Sequence, residues 1–421
     1  MLQINTIRRN PAEVIERLKI KNMDAAALVD EIISLDEKRR ELQVELDETL
    51  ADAKKIAKTI GQLYKTGKAE EATKMKERSA ALKEQSREMG AELDGIVSKL
   101  SNALIQLPNI PHESVPGGTS ESDNEIVASE GELPGKKEFP HWDLIKKYDI
   151  IDFELGNKVT GAGFPFYKGK GARLQRALIN FFLDEAIAAG YEEFQPPLLV
   201  NEDSAYGTGQ LPDKDGQMYS VPVDNLYLIP TAEVPVTNIY RNLMMKEADL
   251  PVKNVAYSNC FRREAGSWGA HVRGLNRLHQ FDKVEIVQIR KPEESYQALE
   301  EMREYVSTLL RKLELPFRIL RLCGGDLSFT SALTYDFEVY SGAQERWLEV
   351  SSVSNFENYQ TNRMKLRFKN KEGKTELAHT LNGSALALPR IVAALLENNQ
   401  VSEGIKIPAV LVPYTGFDMI K

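Results

Sequence analysis

The sequence predicts an α+β protein in two parts, a long N-terminal pair of antiparallel helices and a larger domain that mixes helices with strands. Three observations indicate this. Apolar residues recur at alternating steps of four and three over 28–63 and 75–100. A stretch rich in proline, glycine and acidic residues follows at 108–139, and the remaining residues show helical and strand periods without repeats. We therefore expect an arm at 1–107, a linker at 108–139 and one large domain at 140–421.

The arm is predicted from two proline-free runs of apolar and small residues. In the first run these are Leu28, Ile32, Leu35, Leu42, Leu46, Ala53, Ile56, Ile60 and Leu63, with Arg39 and Thr49 as interruptions. In the second run they are Met75, Ser79, Leu82, Ser86, Met89, Leu93, Ile96 and Leu100. The pattern breaks at Thr66-Gly67-Lys68, and so short a connection makes the two helices antiparallel. The first run would extend about 54 Å at the rise of an α-helix.

The charge of the arm is divided between its two halves. Residues 27–50 carry eight acidic and three basic side chains, whereas residues 51–90 carry ten basic and six acidic ones. A basic outer half is typical of a surface that contacts nucleic acid phosphates. A solubilised coiled coil used for dimerisation would also carry exposed charge, so the residues alone leave both interpretations open.

Composition excludes several classes of protein. The 421-residue chain has a formal net charge of −8, so any attraction to nucleic acid must be local. Two cysteines, Cys260 and Cys323, are too few for a disulfide framework, and the five histidines form no cluster with zinc spacing. The sequence has neither a signal-peptide pattern nor a run of 18 apolar residues. We expect a cytoplasmic enzyme without zinc and without a membrane span.

The most informative segment contains the chemistry needed to bind a nucleoside triphosphate. It begins with Phe261-Arg262-Arg263-Glu264, passes through a glycine-rich loop and ends with the run from Arg277 to Glu285. The planar guanidinium of arginine suits phosphate oxygens, carboxylates select amine donors, and an aromatic ring can stack on a base. The flanking residues 255–261 and 280–287 have the pattern of two strands joined by the loop.

This segment closely resembles motif 2 of the class II aminoacyl-tRNA synthetases, in the form found in seryl enzymes of the bacterial type. The resemblance implies that Arg262 binds the α-phosphate of ATP and the carboxylate of serine. Glu264 would meet the adenine amine, Phe281 would stack on the adenine ring, and Arg277 would lie near the phosphates. Arg263 belongs to the same ATP-binding run. The family has a class II antiparallel sheet with flanking helices, which we expect for residues 140–421.

Two further segments resemble elements of the same family. Residues 171–189 form an amphipathic pattern, followed by the proline-containing run 195–200, and together they resemble motif 1, the homodimer interface. Paired prolines also confine such a strand to the edge of a sheet. Residues 230–235 contain Thr231, Ala232 and Glu233 between two prolines and resemble the element that holds the amino group of serine.

The residues 346–355 resemble the family's segment for ATP and a metal ion. Glu349 and Ser352 are oxygen ligands of the kind that magnesium prefers, and Glu349, Val350, Ser351 and Ser352 are expected to contact ATP. The family usually has cysteine where Val353 stands, a departure that leaves both expected ligands intact.

The run 379–390 leads into an apolar helix, 391–396, and resembles motif 3. By that resemblance Arg390 binds the γ-phosphate. Ser384 and Glu285 fall at the positions that contact the serine substrate. Arg262 and Arg390 are the expected catalytic residues.

The resemblance extends over essentially the whole chain and implies the function of a seryl-tRNA synthetase. Such an enzyme activates serine with ATP to seryl-adenylate and transfers serine to the 3′ end of tRNA(Ser), with ATP as substrate, Mg²⁺ as cofactor and a homodimer as the assembly. The basic half of the arm would contact the tRNA through Lys54, Lys55 and Lys58. Whether tRNA(Sec) is a second acceptor stays open.

Two other classes of protein compete with this interpretation. A synthetase-like ligase would load serine or another small amino acid onto a non-tRNA acceptor, but it generally has no need of a basic arm. A non-catalytic RNA-binding regulator typically loses motif arginines, whereas Arg262, Arg277 and Arg390 are all present. A zinc-dependent seryl variant is disfavoured because two scattered cysteines offer no cluster of ligands.

Overall fold

The structure is a computed structural model that describes residues 1–213, 216–263 and 272–421. The chain divides into two compact units. The first comprises residues 1–19 and 23–108, and the second comprises residues 20–22 and 109–421. Among the helices of the described residues, none combines the length and the apolar character needed to cross a membrane.

The first unit is helical. Its helices are α1 (Ile4–Arg9), α2 (Pro11–Leu18), α3 (Ala26–Lys65) and α4 (Ala69–Leu104). The long helices α3 and α4 pack against each other, and the turn between them falls at the predicted break around Gly67, whose φ of +75° favours glycine. The coiled-coil arm predicted from the heptad-like runs is therefore confirmed.

Each of the two interruptions of the predicted pattern, Arg39 and Thr49, has a side-chain contact in the structure. Thr49 lies against Met89, with the hydroxyl 3.8 Å from the sulfur. Beside Arg39 the carboxylate of Asp36 is almost fully buried and accepts hydrogen bonds from Arg39 at 2.8 Å, Arg40 at 3.0 Å and Arg8 at 2.9 Å. Arg39 thus pairs with a buried carboxylate of α3 that also binds Arg8 of α1.

The second unit contains the remaining elements. Its helices are α5 (His141–Lys147), α6 (Phe153–Val159), α7 (Gly169–Ala188), α8 (Glu202–Thr208), α9 (Glu233–Asn238), α10 (Ser295–Lys312), α11 (Tyr359–Met364), α12 (Leu388–Asn398) and α13 (Val412–Thr415). Its strands are β1 (Glu125–Glu130), β2 (Ile151–Asp152), β3 (Phe166–Tyr167), β4 (Glu192–Phe194), β5 (Leu199–Asn201), β6 (Ser220–Val221), β7 (Leu226–Leu228), β8 (Met244–Lys246), β9 (Val252–Phe261), β10 (Gln280–Arg290), β11 (Phe317–Arg321), β12 (Leu333–Ser341), β13 (Arg346–Glu357), β14 (Arg367–Lys369), β15 (Thr375–Leu377), β16 (His379–Ala387), β17 (Gln400–Val401), β18 (Gly404–Lys406) and β19 (Met419–Ile420).

The largest sheet of the described residues has eight strands in the order β1-β11-β12-β13-β16-β10-β9-β4. Neighbouring strands are antiparallel except β4, which pairs with β9 in parallel at one edge. Helices α7, α10 and α12 pack on this sheet and share its main apolar core. The predicted α+β class, an antiparallel sheet with flanking helices, is confirmed.

The segment predicted as a linker, 108–139, contributes a strand to the large sheet. Residues 109–139 belong to the second unit, and β1 within them pairs with β11 at the other edge of the large sheet. The strand predicted to contain the paired prolines is not formed, because β4 ends at Phe194 and β5 begins at Leu199, so that Pro196 and Pro197 lie between the two strands. The expected boundaries at 107 and 139 and the roles of the parts remain proposals.

Asp36 generates a prediction about the stability of the arm. Burial acts to raise the pKa of Asp36, but the hydrogen bonds from Arg39 and Arg8 and the charge of Arg40 outweigh it and lower the pKa below 3.8. A carboxyl group with a lowered pKa stabilises the fold above its unfolded pKa, and this contribution disappears as the pH falls through the folded pKa. Asp36→Ala should therefore destabilise the arm at neutral pH by about 1.5–3 kcal/mol, the range for hydrogen bonds to a charged group.

Hydrogen exchange of α3 in the full chain measures this effect. The control is Asp52→Ala, because Asp52 is exposed and pairs only on the surface with Lys55, at 3.2 Å. We expect faster exchange around Asp36 in the first variant, little change in the control, and a smaller difference between Asp36→Ala and the unaltered chain below about pH 4. Equal exchange in the two variants at neutral pH would contradict the proposed role of the cluster.

Candidate active site

The strand β10 carries three of the residues that form the site. Side chains alternate between the two faces of a strand, so Phe281, Lys283 and Glu285 share one face of β10. Val284 and Ile286 on the opposite face are buried in the core with α7 and α10. One face of the strand therefore packs against the helices, while the other presents an aromatic ring, an ammonium group and a carboxylate.

Residues predicted to bind serine form a buried cluster around Glu285. The register of β10 and β16 places Glu285 directly opposite Ser384, whose hydroxyl lies 3.3 Å from the carboxylate. The ammonium of Lys283 is 2.6 Å from Glu285 and donates to the hydroxyl of Thr231 at 2.8 Å. All four side chains are buried. The structure thus brings together three of the residues predicted to bind serine, with Lys283 between two of them.

Glu233 completes this cluster from the first turn of α9. Its carboxylate is buried and accepts a hydrogen bond from Gln360 at 2.7 Å. Burial is the main cause that raises the pKa of Glu233 to about 7, and the charge of Glu285 adds to it, while Gln360 and Lys283 act in the opposite direction. Two carboxylates and one ammonium therefore share the pocket, and its net charge is −1 when Glu233 is ionised.

Two residues predicted to bind the nucleotide, Arg262 and Phe281, contact each other. The guanidinium of Arg262 stacks over the Phe281 ring, with 5.2 Å from the guanidinium carbon to the ring centre. Its backbone is held on both sides by His279, because the Arg262 amide donates to the His279 carbonyl at 2.9 Å and the Arg262 carbonyl lies 3.0 Å from His279 Nδ1. Arg263 is exposed and lies over the ring of Tyr219 at 5.9 Å.

Arg390 lies in the first turn of α12 and contacts both motifs that surround it. Its Nε donates to the carbonyl of Asn276 at 3.0 Å, and its Nη1 donates to the carbonyl of Glu349 at 2.7 Å. Arg277 follows Asn276 directly and is exposed. The arginines predicted to bind the phosphates thus come from neighbouring segments.

A β-bulge in β13 explains why Glu349 and Ser352 can act together. Residues three apart on a regular strand face opposite sides, but the pairing of β12 with β13 skips one residue between Glu349 and Ser351. The bulge restores both side chains to one face, where Glu349 is half exposed and Ser352 partly so. Asp336 of β12 lies opposite Ser352, and its buried Oδ1 has no hydrogen-bond partner among the described residues.

These oxygens fit a magnesium ion. Burial first, and then the charge of Glu349, raise the pKa of Asp336 well above its ordinary value, while a hydrogen bond from Ser352 acts against this. A divalent cation would relieve the repulsion between the two carboxylates, and hard oxygen ligands suit Mg²⁺. Across the described ranges, no group of three or more His, Cys, Asp or Glu side chains could hold a metal by itself. This fits Mg²⁺, which usually keeps waters and substrate phosphates as ligands.

Three predicted residues offer their backbone rather than their side chains. Val350 is part of the main core and Ala232 packs beside Val236, so both side chains are buried. The hydroxyl of Ser351 donates to the carbonyl of Ser384 at 2.6 Å. Any contact of these three residues with a substrate would therefore involve main-chain atoms.

Of the remaining predicted residues, one falls outside the described residues and three belong to the first unit. Glu264, expected at the adenine amine, falls in 264–271, outside the described residues. In the first unit Lys54, Lys55 and Lys58 are exposed on α3, and Lys55 pairs with Asp52 at 3.2 Å.

The sequence analysis missed the groups that surround the predicted residues. Lys283 could have been found, because it lies at an alternate position between Phe281 and Glu285 on a predicted strand. Asp336 and Gln360 gave no such signal, since they come from elements distant in the sequence and have no motif of their own.

Comparisons with known proteins agree with this geometry. Residues 1–111 match the family described as the seryl-tRNA synthetase N-terminal domain, and residues 219–399 match the class II tRNA synthetase core domain (G, H, P, S and T). A serine–tRNA ligase of Salinibacter ruber is 51% identical over 424 residues, which cover 100% of this chain and 99% of the relative.

Two solved structures have the same fold. The seryl-tRNA synthetase of Pyrococcus horikoshii, complexed with ATP, superposes with a TM-score of 0.90 and 34% identity over 100% of this chain and 99% of its own. The cytoplasmic serine–tRNA ligase of Naegleria fowleri, in complex with AMP, superposes with a TM-score of 0.87 and 28% identity over 100% of this chain and 99% of its own. From the matched families and a relative that shares half of its residues over the full length, the chain belongs to the seryl-tRNA synthetases of class II.

Proposed function

We propose that this chain activates serine with ATP to seryl-adenylate and transfers serine to the 3′ end of tRNA(Ser), using the residues described above. The observation that carries the proposal is the buried cluster of Glu233, Lys283 and Glu285, beside the hydroxyl of Ser384. This cluster needs one more positive charge, and two of its members, Lys283 and Glu285, lie on the same strand as Phe281. A zwitterionic amino acid with a hydroxyl side chain supplies that charge.

The pocket offers a partner for each polar group of serine. The ammonium group would lie between Thr231 and the ionised carboxylate of Glu233. The hydroxyl would meet Glu285 and Ser384, which already lie 3.3 Å apart. Because a site built to hydrogen-bond a hydroxyl leaves buried groups unpaired with alanine, it can reject alanine by about 10⁴-fold or more.

Adenylate formation needs alignment and charge neutralisation rather than a general base. The carboxylate of serine is already a nucleophile; one of its oxygens attacks the α-phosphorus while the bond to pyrophosphate breaks. Arg262 would hold that carboxylate and the α-phosphate, Phe281 would stack on adenine, and Arg390 would bind the γ-phosphate. Mg²⁺, rather than zinc, would be held by Glu349 and Ser352 and would neutralise charge on the phosphates.

The arm is the part that we assign to tRNA. Lys54, Lys55 and Lys58 are exposed, as are the other basic side chains of residues 51–90. Exposed cations along a helical pair suit contacts to the backbone of double-stranded RNA, which proteins read mainly by shape and phosphate position. We further propose a homodimer formed through α7 and the run 195–200. We also propose that the enzyme is cytoplasmic, with tRNA(Sec) as a second acceptor to be tested.

Serine attachment to a tRNA with a long variable arm tests the proposed function. The full chain should charge the tRNA, and a chain lacking residues 28–100 should not. Charging that survives the deletion would contradict the role of the arm. If neither chain charges the tRNA but seryl-adenylate still forms, the chain is a ligase for a non-tRNA acceptor.

Replacing Glu233 by Gln should weaken serine binding selectively. The amide can still accept the hydrogen bond from Gln360 but has no charge for the ammonium. The KM for serine in pyrophosphate exchange should rise by about 10- to 100-fold, the equivalent of a charge-assisted hydrogen bond, with the KM for ATP changed by less than about twofold.

The matched control for this variant is Glu376→Gln. Glu376 also accepts a hydrogen bond from an amide, that of Asn370 at 2.8 Å, but it lies on β15, away from the residues of the site. The control should keep both KM values. If Glu233→Gln raises the KM for ATP by the same factor as the KM for serine, Glu233 does not bind the ammonium group of serine.

Reversing the three arm lysines should affect only the second step. A chain with Lys54→Glu, Lys55→Glu and Lys58→Glu should have a KM for tRNA at least about tenfold higher and a weaker dependence of binding on salt, because phosphate contacts release counterions. Adenylate formation should be unchanged. The same three changes at the exposed Lys369, Lys371 and Lys374 measure the effect of net charge alone. Loss of adenylate formation together with charging in the arm variant would refute the assignment.

A further inference from the structure

The second unit contains a buried ion cluster that no part of the mechanism above uses. The side chains of His141 and Glu397 are fully buried, and the ring of His141 lies 2.7 Å from the Glu397 carboxylate. The backbone amide of His141 and the side-chain amide of Gln344 donate to the same oxygen at 2.9 Å each. Ser341 donates to the other oxygen. Both carboxylate oxygens of Glu397 thus accept hydrogen bonds, as a buried carboxylate requires.

The protonation of His141 follows from its second contact. The backbone amide of Leu275 donates to Nε2 of His141 at 2.9 Å, so Nε2 carries no proton. The proton is therefore on Nδ1, which donates to Glu397. Burial acts to raise the pKa of Glu397, but the hydrogen bonds from His141 and Ser341 outweigh it, and the pKa is lowered below its ordinary value. Glu397 is therefore a buried negative charge at neutral pH.

The contact between His141 and Leu275 requires glycine at the preceding position. Gly274 has a φ of +68°, in the region that favours glycine, and a Cβ there would lie 2.3 Å from Nε2 of His141. The short turn Gly274–Asn276 is therefore seated directly on the ring. Arg277, a proposed ATP ligand, is the next residue.

Gln344 connects Glu397 to the phosphate-binding arginines. While its amide nitrogen donates to Glu397, its amide oxygen accepts from Asn276 at 3.0 Å and from Arg346 at 3.2 Å. The carbonyl of Asn276 in turn accepts from Arg390. Burial and the nearby charge of Arg390 lower the pKa of Arg346, while the charge of Glu397 acts to raise it.

We propose that His141, Gln344 and Glu397 are positioning residues. They hold the two segments that carry Arg277 and Arg390 in the arrangement that binds ATP. His141 holds the turn before Arg277, and Gln344 fixes Asn276, which anchors Arg390. None of the three touches a proposed substrate position. The inference rests on the proposed function for the identity of the nucleotide, but its claim concerns ATP affinity rather than the choice of amino acid.

The variant Gln344→Ala tests the connection, because it removes the link between Glu397 and Asn276 and leaves the pair of His141 and Glu397 intact. The Kd for ATP with Mg²⁺ and the KM for ATP in serine-dependent pyrophosphate exchange should both rise by about five- to tenfold, as expected for lost neutral hydrogen bonds. The KM for serine should change by less than about twofold.

Gln400→Ala is the matched control. Gln400 is also partly buried and also bridges α12 to another segment, since its amide donates to the carbonyls of Glu397 and Phe139 at 2.8 Å and 2.9 Å. Its side-chain hydrogen bonds in the described part of the chain go to Glu397 and Phe139 rather than to the arginines, so its loss should lower the Tm without raising the KM for ATP. If Gln344→Ala changes ATP and serine constants together, or no more than the control does, the positioning role is wrong.

A second variant decides the matter if Gln344→Ala does not fold. His141→Asn keeps a donor at the position of Nδ1 for Glu397 and removes the acceptor for Leu275, so it should raise the Kd for ATP by a similar factor while sparing serine. An unchanged Kd for ATP would overturn the proposal. Failure of this proposal can be distinguished from failure of the proposed function. If the unaltered chain shows no serine-dependent exchange, the proposed function fails, but the Kd for ATP can still be measured directly in every variant.

Discussion

Three buried charges, those of Glu233, Glu285 and Lys283, form the constraint on which the rest of the site depends. Burying an unpaired charge is costly unless hydrogen bonds and an opposite charge compensate for it. The fold supplies part of this compensation through Thr231, which accepts from Lys283, and Gln360, which donates to Glu233. The second carboxylate still has no cationic partner of its own. A pocket of this charge is complete only when a ligand brings an ammonium group.

The strand β10 makes this charge arrangement useful for catalysis. One side of the strand carries Lys283 and Glu285, which we propose contact serine, and Phe281, which we propose contacts the nucleotide. In this proposal one rigid element sets the distance between the two substrates. On its other side Asp282 accepts hydrogen bonds from Gln175 of α7 at 2.7 Å and from Asn259 of β9 at 2.7 Å. A reaction whose barrier is lowered mainly by alignment depends on such rigidity.

The sequence was sufficient to predict those elements that depend on a local pattern of residues. Heptad spacing predicted α3 and α4, and period-two alternation with a glycine-rich break predicted the pair β9 and β10. It could not predict Asp36 as the reason for the interruption at Arg39, because one of the three arginines that bind this carboxylate, Arg8, lies 28 residues away. It also could not predict the bulge that turns Glu349 toward Ser352, since a bulge depends on the partner strand. The roles of the site residues remain predictions of the resemblance, supported by their proximity.

Proton release on serine binding tests the central claim most directly. Because the pKa of Glu233 is raised to about 7 in the empty pocket, part of the population is protonated at neutral pH and must lose that proton to bind an ammonium group. Calorimetry of serine binding in buffers of different ionisation enthalpy measures this release. We predict a release approaching about one proton per site near pH 6 that declines toward zero near pH 8 and is absent in Glu233→Gln. Serine binding without proton release near pH 6 would contradict the account.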